Sequence, residues 1–164
     1  MSQGLKILVL IFVSCLFCVK SVDAATLPYA AEVTSGAVAM STDQIKLVTL
    51  KFKNVGTKTW TAGQDKVAVY LYGSSSVLSH TTWLRKDLPT VIEPASVKPG
   101  QMASASFYVK APATVGEYQE RFLLSYGPNL WIKGSVVPVT FTVTKPALYN
   151  YQAELVDKSA LIVK

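Results

Sequence analysis

Between Val48 and Lys53 the chain reads Val-Thr-Leu-Lys-Phe-Lys, apolar at every second position and polar in between. A period of two is that of a strand with one face buried and the other wet. Four later stretches carry the same signal. Residues 66–73 alternate Val67, Val69 and Leu71 with Ala68, Tyr70 and Tyr72. Both sets are apolar or aromatic, which predicts a central strand covered on both sides. Residues 101–110 set Ala103, Ala105, Phe107 and Val109 against Met102, Ser104, Ser106 and Tyr108, and residues 117–127 put Tyr118, Phe122, Leu124 and Tyr126 on one face. Residues 136–144 turn Val137, Val139, Phe141 and Val143 inward against Thr140 and Thr142. Outside the first residues no stretch carries a helical stripe.

Turn chemistry separates these runs. Asn54-Val55-Gly56 follows the first strand, and Gly56 is expected to supply a positive φ that its β-branched neighbour cannot. Pro99-Gly100 fits the central pair of a type II turn. Ala111-Pro112 closes the strand before it, since proline cannot donate to a ladder, and Gly116 opens a tight connection into Tyr118. Residues 73–98 are irregular, with Ser74-Ser75-Ser76, Pro89, Pro94 and an apolar island at Trp83-Leu84. Such a span is expected to carry binding and to hold one or two short edge strands. The fold class predicted is all-β: an immunoglobulin-like antiparallel β-sandwich preceded by a signal peptide.

That leading segment is residues 1–24. Lys6 gives a positive start, residues 7–19 run almost wholly apolar, and Ser21-Val22-Asp23-Ala24 offers small residues for cleavage between Ala24 and Ala25. The apolar run falls short of the roughly 20 residues that span a bilayer, so contact with the membrane is expected only during export. Cys15 and Cys18 are the chain's two cysteines and both lie inside it. Leu16, Phe17 and Val19 continue the apolar run past Cys15, which argues against lipidation there. Cleavage would remove both thiols, and with them disulfides and thiolate metal sites. About 140 residues would remain, enough for one core without staples.

The whole chain carries a formal charge of +6. Lys51, Lys53, Lys58 and Lys66 form the densest basic group, and Lys51 and Lys53 sit on the wet face of a strand, where lysine discourages edge pairing. No recognition helix or glycine-arginine tract accompanies them, so nucleic acid is not an expected partner.

Taken together, Thr49-Leu50-Lys51-Phe52-Lys53-Asn54-Val55-Gly56-Thr57-Lys58-Thr59-Trp60, Val97-Lys98-Pro99-Gly100-Gln101, Ala111-Pro112 with Gly116-Glu117-Tyr118, and Leu130-Trp131 resemble the immunoglobulin-like four-tryptophan (FW) domain. That domain is the central one of the neighbour-of-BRCA type autophagy receptor, and bacterial exported proteins carry it too. The resemblance covers residues 29–144 and makes Asn54, Gly56, Trp60, Pro99, Gly100, Pro112, Gly116, Tyr118 and Trp131 structural residues of the motif. The chain departs from the pattern at Leu50, where the family has tryptophan, leaving Trp60, Trp83 and Trp131. A signal peptide rules out inheriting the cytosolic roles, so the resemblance implies only the fold and a generic interaction role. The domain is placed at residues 25–145.

Residues 146–164 are expected to be a tail. Within it Tyr151-Gln152-Ala153-Glu154-Leu155 echoes Tyr29-Ala30-Ala31-Glu32-Val33, and Ala160 and Ile162 fall in register with Val38 and Met40. The tail therefore reads as the start of a second, incomplete copy.

Catalytic readings lack their residues. His80 is the only histidine, and it stands in Leu78-Ser79-His80-Thr81-Thr82 without a nucleophile elbow. A metal centre would have scattered carboxylates alone, so no metal and no cofactor is expected. Glu117 and Glu120, close in sequence, are predicted on opposite faces of a strand. No Asn-x-Ser/Thr sequon occurs. Aromatic contacts remain. Trp83, followed by Arg85 and Lys86, is either an exposed anchor or a plug at one end of the sandwich. Trp60 and Trp131 are expected in the core, while Tyr70, Tyr72 and Tyr126 either line a patch or pack between the sheets. The function predicted is a non-catalytic exported interaction module of a cell-surface or extracellular protein, binding a protein. The alternative is a carbohydrate- or cell-wall-binding module accessory to a wall-degrading enzyme.

Overall fold

A computed structural model describes residues 27–33 and 36–147. The Ala24-Ala25 junction, its signal segment and the tail from Leu148 onward lie outside the described residues. Among the described residues eleven strands form in the order β1 (Ala31–Val33), β2 (Gly36–Ser41), β3 (Ile45–Asn54), β4 (Trp60–Thr61), β5 (Val67–Leu71), β6 (Thr90–Val91), β7 (Ser96–Val97), β8 (Met102–Lys110), β9 (Gly116–Tyr126), β10 (Leu130–Trp131) and β11 (Val137–Thr144). One sheet runs β1-β3-β8, the other β2-β11-β9-β5-β6 with β10 beside the end of β9, and β4 pairs β7 at one end. The architecture is an immunoglobulin-like β-sandwich.

The five strands read from the alternation, β3, β5, β8, β9 and β11, form where it puts them. Val48, Leu50 and Phe52 of β3 and Phe107 of β8 meet Phe122 and Leu124 of β9 and Val139 and Phe141 of β11 in one buried core. Each such side chain contributes roughly 1.5–3 kcal/mol by leaving water. β5 is buried at all five positions, as expected of a strand covered on both sides. β6 and β7 are the short strands anticipated in the irregular span. The pairing is not wholly antiparallel, because β2 runs parallel to β11, Gly36 opposite Val139 and Ser41 opposite Thr144. β1 pairs β3 in one sheet and β2 pairs β11 in the other, so the chain changes sheets between Val33 and Gly36.

The Asn54 turn shows why its residues occur together. Asn54 is fully buried. Its Nδ2 donates to Lys58 O and to Val97 O, each at 2.9 Å, and its Oδ1 accepts from Gly56 N at 3.0 Å. One side chain thus fastens the turn to β7, and Trp60 is delivered into the core with no exposure. The Trp60 indole N–H finds no partner among the described residues. Gly56 corrects an expectation: its φ is not positive. A Cβ there would come within 2.7 Å of Pro28 O and 2.8 Å of Ala30 N, so glycine is required by the close passage of the backbone that leads into β1. Gly56→Ala is expected to cost about 1–3 kcal/mol in urea unfolding; a change under about 0.5 kcal/mol would contradict this packing.

The remaining motif residues sit as turn chemistry dictates. Gly100 has φ 83° and Gln101 N donates to Lys98 O at 3.0 Å, closing the Pro99-Gly100 turn. β8 ends at Lys110, before Ala111-Pro112. Gly116 begins β9, and Tyr118 Oη donates to Thr114 O at 2.8 Å. A tyrosine near the start of this strand bonding back to upstream backbone is the tyrosine corner of immunoglobulin-like sandwiches.

Candidate functional site

The long connection from Tyr72 to Pro94 does two jobs, one on the flank of the sandwich and one on its outer surface. On the flank it closes the exposed edge of β8. Lys110 N donates to Leu78 O at 3.0 Å, and Glu93 and Ser104 exchange backbone bonds of 2.7 and 2.8 Å. Between them Trp83 Nε1 donates to Tyr108 O at 2.7 Å. Trp83 lies edge-on to Phe107 of one sheet and Phe122 of the other, with centroids 6.0 and 6.4 Å away. Its exposure is 8%. Trp83 therefore fills the plug role and is not an exposed anchor.

The second job concerns the face of the second sheet that points away from the main core. Val67, Val69 and Leu71 enter that core, so Ala68 and Tyr70 must emerge on the opposite side. There they form a separate buried cluster with Leu123 of β9 and Leu88 of the connection. Arg85 and Leu88 bond each other's backbones in a tight turn. Arg85 lays its guanidinium over the Tyr70 ring at 5.6 Å and donates from Nε to Asp87 Oδ1 at 3.3 Å. The Asp87 hydrogen bond holds Arg85 more firmly protonated than usual, against the opposing effect of burial. Tyr70 is buried, its hydroxyl donating to Gln64 O at 2.9 Å. Tyr70 and Arg85, named separately as interaction candidates, thus meet each other here, where they serve as a foundation.

Beside this foundation stands an exposed trio. Tyr72 continues the outward register of Tyr70, and its N–H donates to Arg121 O at 2.7 Å. The Arg121 guanidinium stacks over the Tyr72 ring at 4.6 Å. The Trp131 ring lies 5.1 Å from Tyr72, tilted by 52°. Trp131 is 55% exposed and Tyr72 41%. Trp131 was expected in the core and is not there. β10 contributes only two residues, and pairing Trp131 with Ser125 sends the indole to the outward side of β9. Arg121 was not anticipated; its outward parity on β9 is readable, but its meeting with Tyr72 depends on cross-strand register.

Tyr126 does not join this trio. It shares the inward parity of Phe122 and Leu124 but lies beyond the core, against Tyr29 at 5.4 Å. His80 Nδ1 lies 2.9 Å from Thr82 Oγ1, and its ring rests 5.8 Å from that of Tyr108. No serine and carboxylate complete a triad around it in these contacts. Glu117 and Glu120 fall on opposite faces of β9, and Glu120 accepts a hydrogen bond from Ser76 Oγ. Among the described residues no group of three or more His, Cys, Asp or Glu side chains is placed to hold a metal ion.

No protein-family model matches the chain, and no curated protein matches it. Solved structures resemble its chain course. A CARDB domain from Pyrococcus furiosus, solved with di-metal ions, aligns with TM-score 0.44 and 15% identity over 73% of this chain and 92% of that one. A type I cohesin from Pseudobacteroides cellulosolvens gives TM-score 0.39 and 14% identity over 75% and 97%. A PapD-like domain of human CEP192 gives 0.40 and 12% over 90% and 100%. Likeness at this level carries no functional argument, and the immunoglobulin-like assignment stands on the strand pairing described above.

Proposed function

We propose that the chain is a non-catalytic, exported interaction module of the FW kind, and that it grips a protein partner through Trp131, Tyr72 and Arg121. One observation carries this reading: Tyr72 meets both Trp131 and Arg121 in the open, beside the buried Ala68–Tyr70–Leu88–Leu123 cluster. Trp, Tyr and Arg are the residue types that dominate binding energy at protein interfaces, and a rigid base lowers the entropy lost on docking. The FW kinship is supported by Asn54, Gly56 and Trp60 acting as one structural unit. Export is supported by the character of residues 1–24. The glycan-binding alternative loses Trp83 as its anchor, and Arg121 already covers one face of Tyr72, where a sugar ring would stack.

The test is photo-cross-linking in cells that export the chain, with benzoylphenylalanine in place of Tyr72 and, as control, of Lys98. A discrete protein adduct at the first position, absent at the second and lost with Trp131→Ala, is the expected result. Trp131-dependent retention on insoluble polysaccharide without adducts would overturn it.

Trp131 is also a built-in reporter. Trp60 and Trp83 are buried, so acrylamide should quench one emission component only. Trp131→Phe is expected to abolish that component while changing unfolding stability by less than about 0.5 kcal/mol. Unchanged quenching in the variant would show that the exposed indole is not Trp131.

A further inference from the structure

Arg121 stands in the middle of an outward row that crosses three strands. Pro138 of β11 lies opposite it in the ladder on one side. On the other side, the pairing of Leu71 with Phe122 places Tyr72 next in line. Neighbouring strands lie about 4.8 Å apart, so the row is roughly 10 Å wide. Pro138 is exposed. The β9–β11 register, continued by one residue, sets Val136 opposite Leu123 on the same side, and Val136 is 41% exposed. Together with Trp131 and Tyr72 these residues give a single guanidinium an apolar setting.

That guanidinium lacks a counter-charge. The ion pairs among the described residues join Lys53 to Glu32, Arg85 to Asp87 and Lys110 to Asp43, and Arg121 is in none of them. Glu120 turns to the opposite face of β9 and accepts from Ser76 Oγ. Glu117 shares the outward side but lies four residues along the strand, roughly 13 Å away. Lys133 adds to the imbalance. It follows Trp131 by two residues, with buried Ile132 between them, and is itself exposed on the outward side. Stacking over Tyr72 engages one face of the Arg121 group and leaves its N–H edge available to an acceptor.

We infer that the partner presents a short segment with one Asp or Glu carboxylate beside an apolar side chain. The inference rests on the contact surface proposed above. The carboxylate takes the Arg121 N–H groups in a two-point fork, and its apolar neighbour settles against Trp131 and Pro138. Tyr72 keeps the guanidinium from turning, which lowers the entropy lost when the fork closes. The apolar side chains around it exclude water from the pair. A wholly apolar segment would strip water from the guanidinium and replace it with nothing, so the site selects against one. A basic segment would meet Arg121 and Lys133 as like charges.

Random twelve-residue peptides displayed on phage, panned against the exported chain, test this. Trp131→Ala, Arg121→Gln and Lys51→Gln are panned alongside; the last removes the same charge from the outer face of the other sheet. Peptides retained by the parent and lost by Trp131→Ala are expected to carry Asp or Glu next to an apolar residue. Arg121→Gln should weaken them about tenfold, and Lys51→Gln by less than about twofold. Trp131-dependent peptides without an acidic residue, or indifferent to Arg121→Gln, would overturn the inference while leaving the Trp131 contact standing. Equal weakening by Lys51→Gln would overturn it in favour of overall charge. Absence of any Trp131-dependent peptide would remove the contact surface itself, and the inference with it. Polygalacturonate offers the same carboxylates on a sugar chain. Its retention in place of peptides, sensitive to both Trp131→Ala and Arg121→Gln, would overturn the inference by assigning the site to an acidic glycan.

Discussion

Replacing Trp83 with alanine is expected to cost about 3–5 kcal/mol of unfolding free energy, a large share of the roughly 5–15 kcal/mol a domain possesses. The indole is wedged between Phe107 and Phe122, one from each sheet, and those two rings also touch at 5.0 Å. Its removal leaves a cavity between the sheets. It also strips Tyr108 O of its donor and so reopens an edge of β8 that the connection keeps closed. Trp83→Phe separates the two effects. It restores most of the volume but not the hydrogen bond, so a loss of about 1–2 kcal/mol is expected. Urea unfolding followed by circular dichroism measures both. A loss under about 1 kcal/mol for Trp83→Ala would show that the plug is dispensable. The consequence for testing function is direct: reduced ligand retention by a Trp83 variant would report unfolding, and truncation of Trp131 is the change that tests the proposed interface.

The contrast between these two tryptophans shows how far a sequence carries. β3 was legible because Val48, Leu50 and Phe52 are buried while Thr49, Lys51 and Lys53 are wet, and burial of one face is what writes a period of two. β2 was not, since Gly36-Ala37-Val38-Ala39 offers little contrast between faces and lies at the rim. Trp131 was misplaced because its burial depends on which side of β9 a two-residue strand faces, a matter of turn geometry at residues 127–129. The trio shares that difficulty. Tyr72 and Arg121 are brought together by the pairing of β5 with β9, and register across a sheet leaves no mark in local periodicity. At Gly56 the signal was read correctly as a requirement for glycine, but for the wrong reason: its neighbour Pro28 is remote in sequence and close in space.

Asn54→Asp is expected to be as damaging as any single-atom change in this chain. The substitution is nearly isosteric, so packing around Phe52 and Trp60 is untouched. One oxygen can still accept from Gly56 N, but the other takes the place of the Nδ2 that now donates to Lys58 O and Val97 O. A fully buried carboxylate would then face two carbonyl oxygens with no compensating cation, at a cost of about 3–5 kcal/mol. Asn54→Ala, which merely leaves those groups unpaired, is expected to lose about 2–4 kcal/mol. The two variants differ in their response to pH. Burial between acceptors raises the folded-state pKa of the new carboxyl above its unfolded value, so its neutral form is favoured in the native state. The aspartate variant should therefore recover stability relative to the parent as pH falls through that raised pKa and lose it again as pH climbs, whereas the alanine variant should track the parent throughout. Denaturation midpoints across the acid to neutral range supply the measurement. A parallel pH course for all three chains, or a loss below about 1 kcal/mol for either variant, would mean that Asn54 does not hold the turn against β7.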